Sequence, residues 1–463
     1  MYRTIKDAAD ALRAGETTSV ALTTEAMAIA EAHDGELGVY LARYDETALE
    51  AAAKADQELA NGDDKGPLHG IPLGVKDIIT TEEGETTAQS LVLDRSWGQG
   101  DAPVVARLRA AGAVITGKST TMEYAIGIPD DSKPFPIPRN PWNTDHYPGG
   151  SSSGTGNGVA AGFFLGGLGT DTGGSIRYPA TSCGITGLKQ TFGRVPKYGC
   201  VPLGYSYDHI GPMARSAEDC ALMLAVLAGH DARDATSADR PVDDYVSGLT
   251  GDLSGLRIGL DLLEGKSTRV DPEYVDLVNA AVAELEAAGA TVVPIELPYY
   301  EEITFATMMG LQAEAYAYHR PDLQSQWESY FAGTRAAVVA GALVPAGDYA
   351  QSQRARRAVQ RLVAKIYEDV DLIVTPTATA GAPAYSELSF DGLLDPLHTP
   401  YWNALGNPAM SVPMGFSKAG LPIGLQIIGK PFDEAAVLAA GHAYQQRTDW
   451  HVQVPPMVAE HYS

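Results

Sequence analysis

The sequence predicts an α/β fold, and three stretches carry the prediction. "LRIGLD" (256–261), the amphipathic "PEYVDLVNAAVAELEAAG" and "ATVVPIEL" form a strand–helix–strand unit. "QRARRAVQRLVAKIYEDV" (353–370) is a basic amphipathic helix whose charge run reads as a solvated face, and it leads into the apolar strand "DLIVTP". "DAPVVARLRAAG" (101–112) reads as a helix with Asp101 as N-cap, Pro103 in its first turn and Gly112 as stop, followed by the buried strand "AVIT". Helices alternating with buried strands define the α/β class.

The other elements fall in order around these. "SVALTTEAMAIAEAHDG" (19–35) and "DETALEAAAKADQELANG" (45–62) have helical apolar spacing, and each ends in a glycine. "GIPLGVKDIIT" (70–80) is strand-like, and "AEDCALMLAVLAG" (217–229) is helical. Residues 149–174 contain 11 glycines, too many for regular structure throughout. Residues 230–256 are polar and rich in turn formers, a surface excursion. "PAMSVPMGF" (408–416) and "GLPIGLQIIG" (420–429) pair as a hairpin.

Composition limits what the chain does. A formal net charge of −25 argues against a nucleic-acid or anionic-membrane partner, which would want a basic face. Cys183, Cys200 and Cys220 form no CxxC pair and are odd in number, which fits a reducing compartment. The N-terminus lacks a secretory apolar core, and the longest apolar run, "AAVVAGALVPAG" (336–347), is too short to span a membrane. A cytoplasmic protein is expected.

Several familiar patterns fail on context. "GAVITGKS" (112–119) spells the phosphate-loop pattern GxxxxGKS/T, but its middle is strand-like and a helix precedes it rather than follows. "GSSSG" (150–154) spells a GxSxG nucleophile elbow centred on Ser152, yet the turn formers "TDHYPG" stand where a strand is needed. The ten histidines are scattered, there is no HExxH, and no metal site is expected.

What remains is a pair of serine–glycine elements, "PGGSSSGTG" (148–156) and "GTDTGGSIRYP" (169–179), and a lysine in the apolar run "PLGVKDII" (72–79). Together they resemble the amidase signature family of serine hydrolases. The resemblance is strongest over residues 67–215, through "GIPLGVKD", "NPWN", "GLKQTFGRVP" and "DHIGPMARS", and returns in "GNPAMSVPMGF" and "GLPIGLQIIGKPFDE". Lys76 and Ser151 are 75 residues apart and Ser151 and Ser175 are 24 apart, as in the family's triad. The resemblance implies Ser175 as nucleophile, Ser151, after a cis peptide bond, as relay and Lys76 as base. It implies an oxyanion hole from Thr172, Gly173 and Gly174, no cofactor, and one α/β domain over residues 1–463: a large mixed sheet with helices on both faces.

The chemistry agrees. A lysine with an ordinary pKa of about 10.4 is charged at neutral pH and accepts no proton, whereas the apolar neighbours of Lys76 desolvate it. Asp77, on the other face of a strand, would not restore the charge. A serine hydroxyl accepts and donates at once, so Ser151 fits the middle of the relay. Asp171 and Arg177 either pair to fix the nucleophile loop or form a plain surface salt bridge. Ser152 either bonds near the triad or caps the next turn. Gly154, Gly158 and Gly162 read as close packing.

The expected function is hydrolysis of amide C–N bonds, of aryl or alkyl amides or carbamates, by a stand-alone monomer or homodimer acting on a small molecule. Met122, Tyr124, Ile126, Tyr205 and Trp402 are candidate pocket residues by resemblance, or ordinary core. Residues 230–256 and 300–350 are expected to shape the pocket. The alternative is the A subunit of a tRNA-dependent amidotransferase, a glutaminase that delivers ammonia to a partner protein.

Overall fold

Eleven strands assemble into one sheet in the computed structural model, which describes residues 2–462. In chain order they are β1 (Tyr40–Arg43), β2 (Pro72–Lys76), β3 (Val114–Ser119), β4 (Gly166–Asp171), β5 (Thr186–Lys189) and β6 (His209–Ala214). β7 (Arg257–Leu260), β8 (Thr291–Pro294), β9 (Leu372–Pro376), β10 (Ala409–Phe416) and β11 (Pro422–Ile428) follow. Their order across the sheet is β1-β3-β2-β4-β6-β5-β10-β11-β9-β7-β8. The sheet is mixed: β2 runs parallel to β3 and β4, whereas β4 pairs antiparallel with β6. This is the single-domain α/β architecture expected.

Strand alternation sends side chains to both faces. On β10, Met410, Val412 and Met414 join Val437, Leu438 and Ala440 of the helix Glu434–Gln445 in the largest apolar cluster. Ser411 turns to the other side, where its hydroxyl lies 2.9 Å from that of Thr377. The central strands β2 to β6 all come from the segment that carries the family resemblance.

Three of the boundaries that differ from the sequence reading show a local cause. The helix Ser19–Leu37 passes Gly35 and stops at Gly38, in the left-handed region at φ 59°. The Asp34 carboxylate there accepts from the amides of Val39 and Tyr40, so the stop is set by a carboxylate as well as a glycine. The helix Pro103–Ala110 has Ala102, not Asp101, at its N-cap. Asp101 is drawn away to the amide of Glu82 and the guanidinium of Arg109. β2 ends at Lys76, and the amides of Ile78 and Ile79 turn back onto the Lys76 carbonyl. "GAVITGKS" is indeed strand β3, and residues 230–256 contain no helix or strand. Among the described residues no helix is long and apolar enough to cross a membrane.

Candidate active site

Lys76 closes β2, the third strand from the β1 edge of the sheet, and is fully buried. Its Nζ stands 2.7 Å from Ser151 Oγ and 2.6 Å from Thr170 Oγ1. Burial pushes its pKa down to about 7, with Asp171 and Asp208 partly opposing the shift. Asp77 takes no part, for a reason the sequence did not offer: it has left the strand and pairs with Lys118 at 3.0 Å. An amine that is about half unprotonated at neutral pH, able to offer a lone pair to one hydroxyl and a hydrogen to another, is thus built into the sheet. Thr170, which receives that hydrogen, was not singled out from the sequence. Its place on β4, one alternation before Thr172, is the signal that was there.

Ser151 follows a cis Gly150–Ser151 bond and leads into the helix Ser153–Ala161. Ser151 and Ser175 line the same cavity, of about 60 Å³. No protein group holds the Ser175 hydroxyl among the described residues, so the structure joins Lys76 to Ser151 and leaves Ser175 facing the cavity. Catalytic bonds of this kind often tighten only when substrate arrives. Ser152 is tied to β4: its Oγ lies 3.2 Å from the Thr170 carbonyl and accepts from the Thr170 amide at 3.1 Å. It stands at the N-cap position of the helix, but its side chain makes no capping bond.

The Asp171–Arg177 pair is a buried brace rather than a surface salt bridge. Both side chains are fully buried and meet at 2.9 Å. The Arg177 guanidinium holds the Asp171 carboxyl far below the usual carboxylate range. Asp171 in turn accepts from the amides of Gly174 (2.8 Å) and Ile176 (3.2 Å), which fixes the turn carrying Ser175.

This brace bears on the oxyanion hole expected from Thr172, Gly173 and Gly174. The Gly174 amide is already committed to Asp171, whereas the amides of Thr172, Gly173 and Ser175 have no partner among the described residues. The free donor set therefore contains Ser175's own amide and lacks that of Gly174. Gly174 serves by shape: its φ is 135°, and a Cβ there would lie 2.1 Å from Thr399 Oγ1. Gly174→Ala is expected to lower kcat at least 100-fold while the protein stays folded, checked by steady-state kinetics beside circular dichroism. Gly154 is a packing glycine, since a Cβ would meet the Thr120 amide at 2.4 Å.

The structure separates the five candidate pocket residues. Met122 and Ile126 line the Ser175 cavity with Met308, Leu311, Leu393 and Leu397. Tyr124 does not: its backbone turns left-handed at φ 50°, and its ring packs on His319 with centroids 4.3 Å apart. Trp402 is fully buried against Tyr401 in a separate apolar cluster. Tyr205 is half exposed and covers the Lys197 ammonium, 4.3 Å from its ring, in a second cavity. Of the two variable segments, 300–350 supplies Met308 and Leu311 to the first cavity, and 230–256 supplies Arg233 and Asp234 to the second.

That second cavity, of about 250 Å³, meets the first at Ala125 and Leu203. Thr170, Thr172, Lys197 and Asp208 line it. Asp208 accepts from Thr172 Oγ1 at 2.6 Å and from the amides of Leu203 and Gly204, so it clamps the cavity wall to the oxyanion turn. His209 is no catalytic base. Burial holds its pKa well below the ordinary imidazole value, and Nδ1 is bound to the Asp171 carbonyl at 3.0 Å.

A buried lysine, two serines and free amides on one turn define a serine hydrolase without a catalytic histidine. Residues 21–438 match the family model described as Amidase, and the chain belongs to the amidase signature family, whose members act on amide C–N bonds. The A subunit of the glutamyl-tRNA(Gln) amidotransferase from Roseiflexus sp. is 42% identical, with 99% of each chain covered. Its counterpart of the same name from Methylococcus capsulatus is 40% identical, again with 99% of each chain covered. Peptide amidase from Stenotrophomonas maltophilia superposes with a TM-score of 0.85 at 32% identity, covering 98% of both chains.

These relatives correct two expectations. The stand-alone hydrolase of aryl or alkyl amides or carbamates gives way to the amidotransferase alternative, because the curated relatives that match end to end carry that name. The expectation of a small-molecule enzyme working as a monomer or homodimer, with no nucleic acid involved, falls with it. Net charge reports the average surface and is silent about a docking face or about what a partner protein binds.

Proposed function

We propose that this chain is the A subunit of a glutamyl-tRNA(Gln) amidotransferase, a glutaminase that releases ammonia for a partner protein. The observation that carries the reading is end-to-end similarity to such proteins, 42% over 99% of both chains, in a chain that keeps Lys76, Ser151 and Ser175 together. Free thiols at Cys183, Cys200 and Cys220 suit a cytoplasmic setting.

The arrangement of these residues is compatible with each step of amide cleavage. Neutral Lys76 takes the Ser151 proton as Ser151 takes that of Ser175, and Ser175 Oγ adds to the carboxamide carbon. The oxyanion is received by the amides of Thr172, Gly173 and Ser175. When the C–N bond breaks, the Ser151 hydroxyl gives its proton to the departing nitrogen and regains one from the Lys76 ammonium. Ammonia leaves, and water repeats the sequence on the ester to free glutamate.

Glutamine also brings a carboxylate and an ammonium. Among the described residues no charged side chain lines the Ser175 cavity, whereas the adjoining cavity offers Lys197 and Asp208. We assign the α-carboxylate of glutamine to Lys197, residues 230–256 to shaping this entry and residues 300–350 to shaping the Ser175 cavity. Lys197→Met is expected to raise KM for glutamine about 10-fold or more with kcat within a few-fold, and to leave KM for an uncharged amide such as butyramide unchanged. The test of the function itself is glutamate release from glutamine, with and without the cognate partner proteins and glutamyl-tRNA. Glutaminase activity that rises when they are added is the expected result. Fast turnover of a neutral anilide by the isolated chain, with none of glutamine, would overturn the proposal.

A further inference from the structure

The helix Ser19–Leu37 and the 3-10 segment Pro456–Tyr462 bring two imidazoles face to edge. His33 Nε2 and His461 Nε2 stand 3.2 Å apart, with ring centroids at 5.4 Å and an interplanar angle of 89°. A carboxylate oxygen of Glu460 lies 3.9 Å from His461 Nε2, and the three ligand atoms all fall within 4.8 Å of one another. Among the described residues no other group of three histidine, cysteine or acidic side chains converges this way.

We propose that His33, His461 and Glu460 bind one zinc-class divalent cation that staples the 456–462 segment to the helix. The distances carry the argument. Nitrogens held at about 2.0–2.1 Å from a tetrahedral zinc stand about 3.3–3.4 Å from each other, which is the separation of these two imidazole nitrogens to within a small rotamer shift. Glu460, whose side chain is exposed, supplies the third ligand, and the partly open site leaves the fourth position to water. Two imidazoles and a carboxylate are a nitrogen–oxygen donor set that suits zinc, cobalt, nickel or copper and is too poor in oxygen for calcium or magnesium.

Packing prepares the site from both sides before any ion arrives. Fully buried Val458 shares an apolar cluster with Ile29 and Ala30 of the helix. The Arg215 guanidinium lies over the Tyr462 ring at 5.5 Å. The ligands therefore lose little freedom on binding, and the ion's role is to hold the segment rather than to take part in catalysis. Neither element supplies a residue of the triad.

Titration of the untagged, chelator-stripped chain with zinc chloride tests this. One equivalent should bind, with a rise of a few degrees in Tm, and cobalt(II) should show the intense visible bands of tetrahedral coordination. His33→Ala and His461→Ala should each weaken zinc binding at least 10-fold, and Glu460→Gln several-fold, with glutamine hydrolysis by the stripped variants within two-fold of the stripped wild type. Wild-type binding indistinguishable from that of the His33→Ala/His461→Ala double variant would overturn the site. So would a zinc requirement for hydrolysis that persists in the double variant, since the ion would then lie elsewhere.

Discussion

Ser175→Ala is expected to lower kcat by about 10⁴-fold or more on every amide the protein hydrolyses, a loss of about 5 kcal/mol or more of transition-state stabilisation. The size follows from what the residue does. In the proposed mechanism it forms the covalent bond, and its own amide is one of three without a partner among the described residues, the set assigned to the developing oxyanion. The alanine variant keeps that amide and the Asp171 brace, so the residual rate measures positioning without a nucleophile. Two neighbours serve as controls. Ser152→Ala loses only a tie to Thr170, and His209→Gln only a bond to a carbonyl, so each should stay within about 10-fold of wild type.

The second large effect belongs to Lys76. With its pKa lowered to about 7, the amine is a base only above that pH, so kcat/KM should rise tenfold per pH unit below about 7 and level off above it. Lys76→Ala should remove this limb. It should also act unequally on two kinds of substrate. An amide nitrogen must be protonated before it departs, whereas an aryl ester releases a phenolate that needs little help. Lys76 serves an amide twice, as base in acylation and, through Ser151, as acid in expulsion, each role worth about 10²–10⁴. The amide-to-ester rate ratio of Lys76→Ala should therefore fall about 10-fold or more, while Ser175→Ala abolishes both alike. Parallel loss on the two substrates would remove the dual role.

Local pattern made part of this site legible. Helical and strand periods marked the helix before β3, the β7–β8 unit and the β10–β11 hairpin, because each is a short-range regularity. The triad was legible only through motif and spacing, since three residues spread over 100 positions meet by way of the sheet. What stayed hidden depends on direction. Tyr124 resembles a pocket aromatic beside Met122 and Ile126, but a left-handed turn at Tyr124 and Ala125 sends its ring to His319 instead. The Gly174 amide looked free in "DTGGS" until the Asp171 carboxylate was seen to fold back on it. Thr170 acquires its part only when β2 and β4 pair, and Asp208 only when the turn before β6 meets the turn after β4. Function was legible as a class, and end-to-end relatives rather than site chemistry separated its two readings.

The central claim is that Ser175, activated by Lys76 through Ser151, attacks the side-chain amide of glutamine. Mass spectrometry of the protein after treatment with 6-diazo-5-oxonorleucine, a reactive glutamine analogue, and in parallel with a fluorophosphonate, tests it most directly. The account predicts one adduct per chain from each reagent, both on the peptide carrying Ser175, and none in Ser175→Ala. A fluorophosphonate adduct without a glutamine-analogue adduct would contradict the glutaminase assignment, and an adduct on Ser152 from either reagent would contradict the triad.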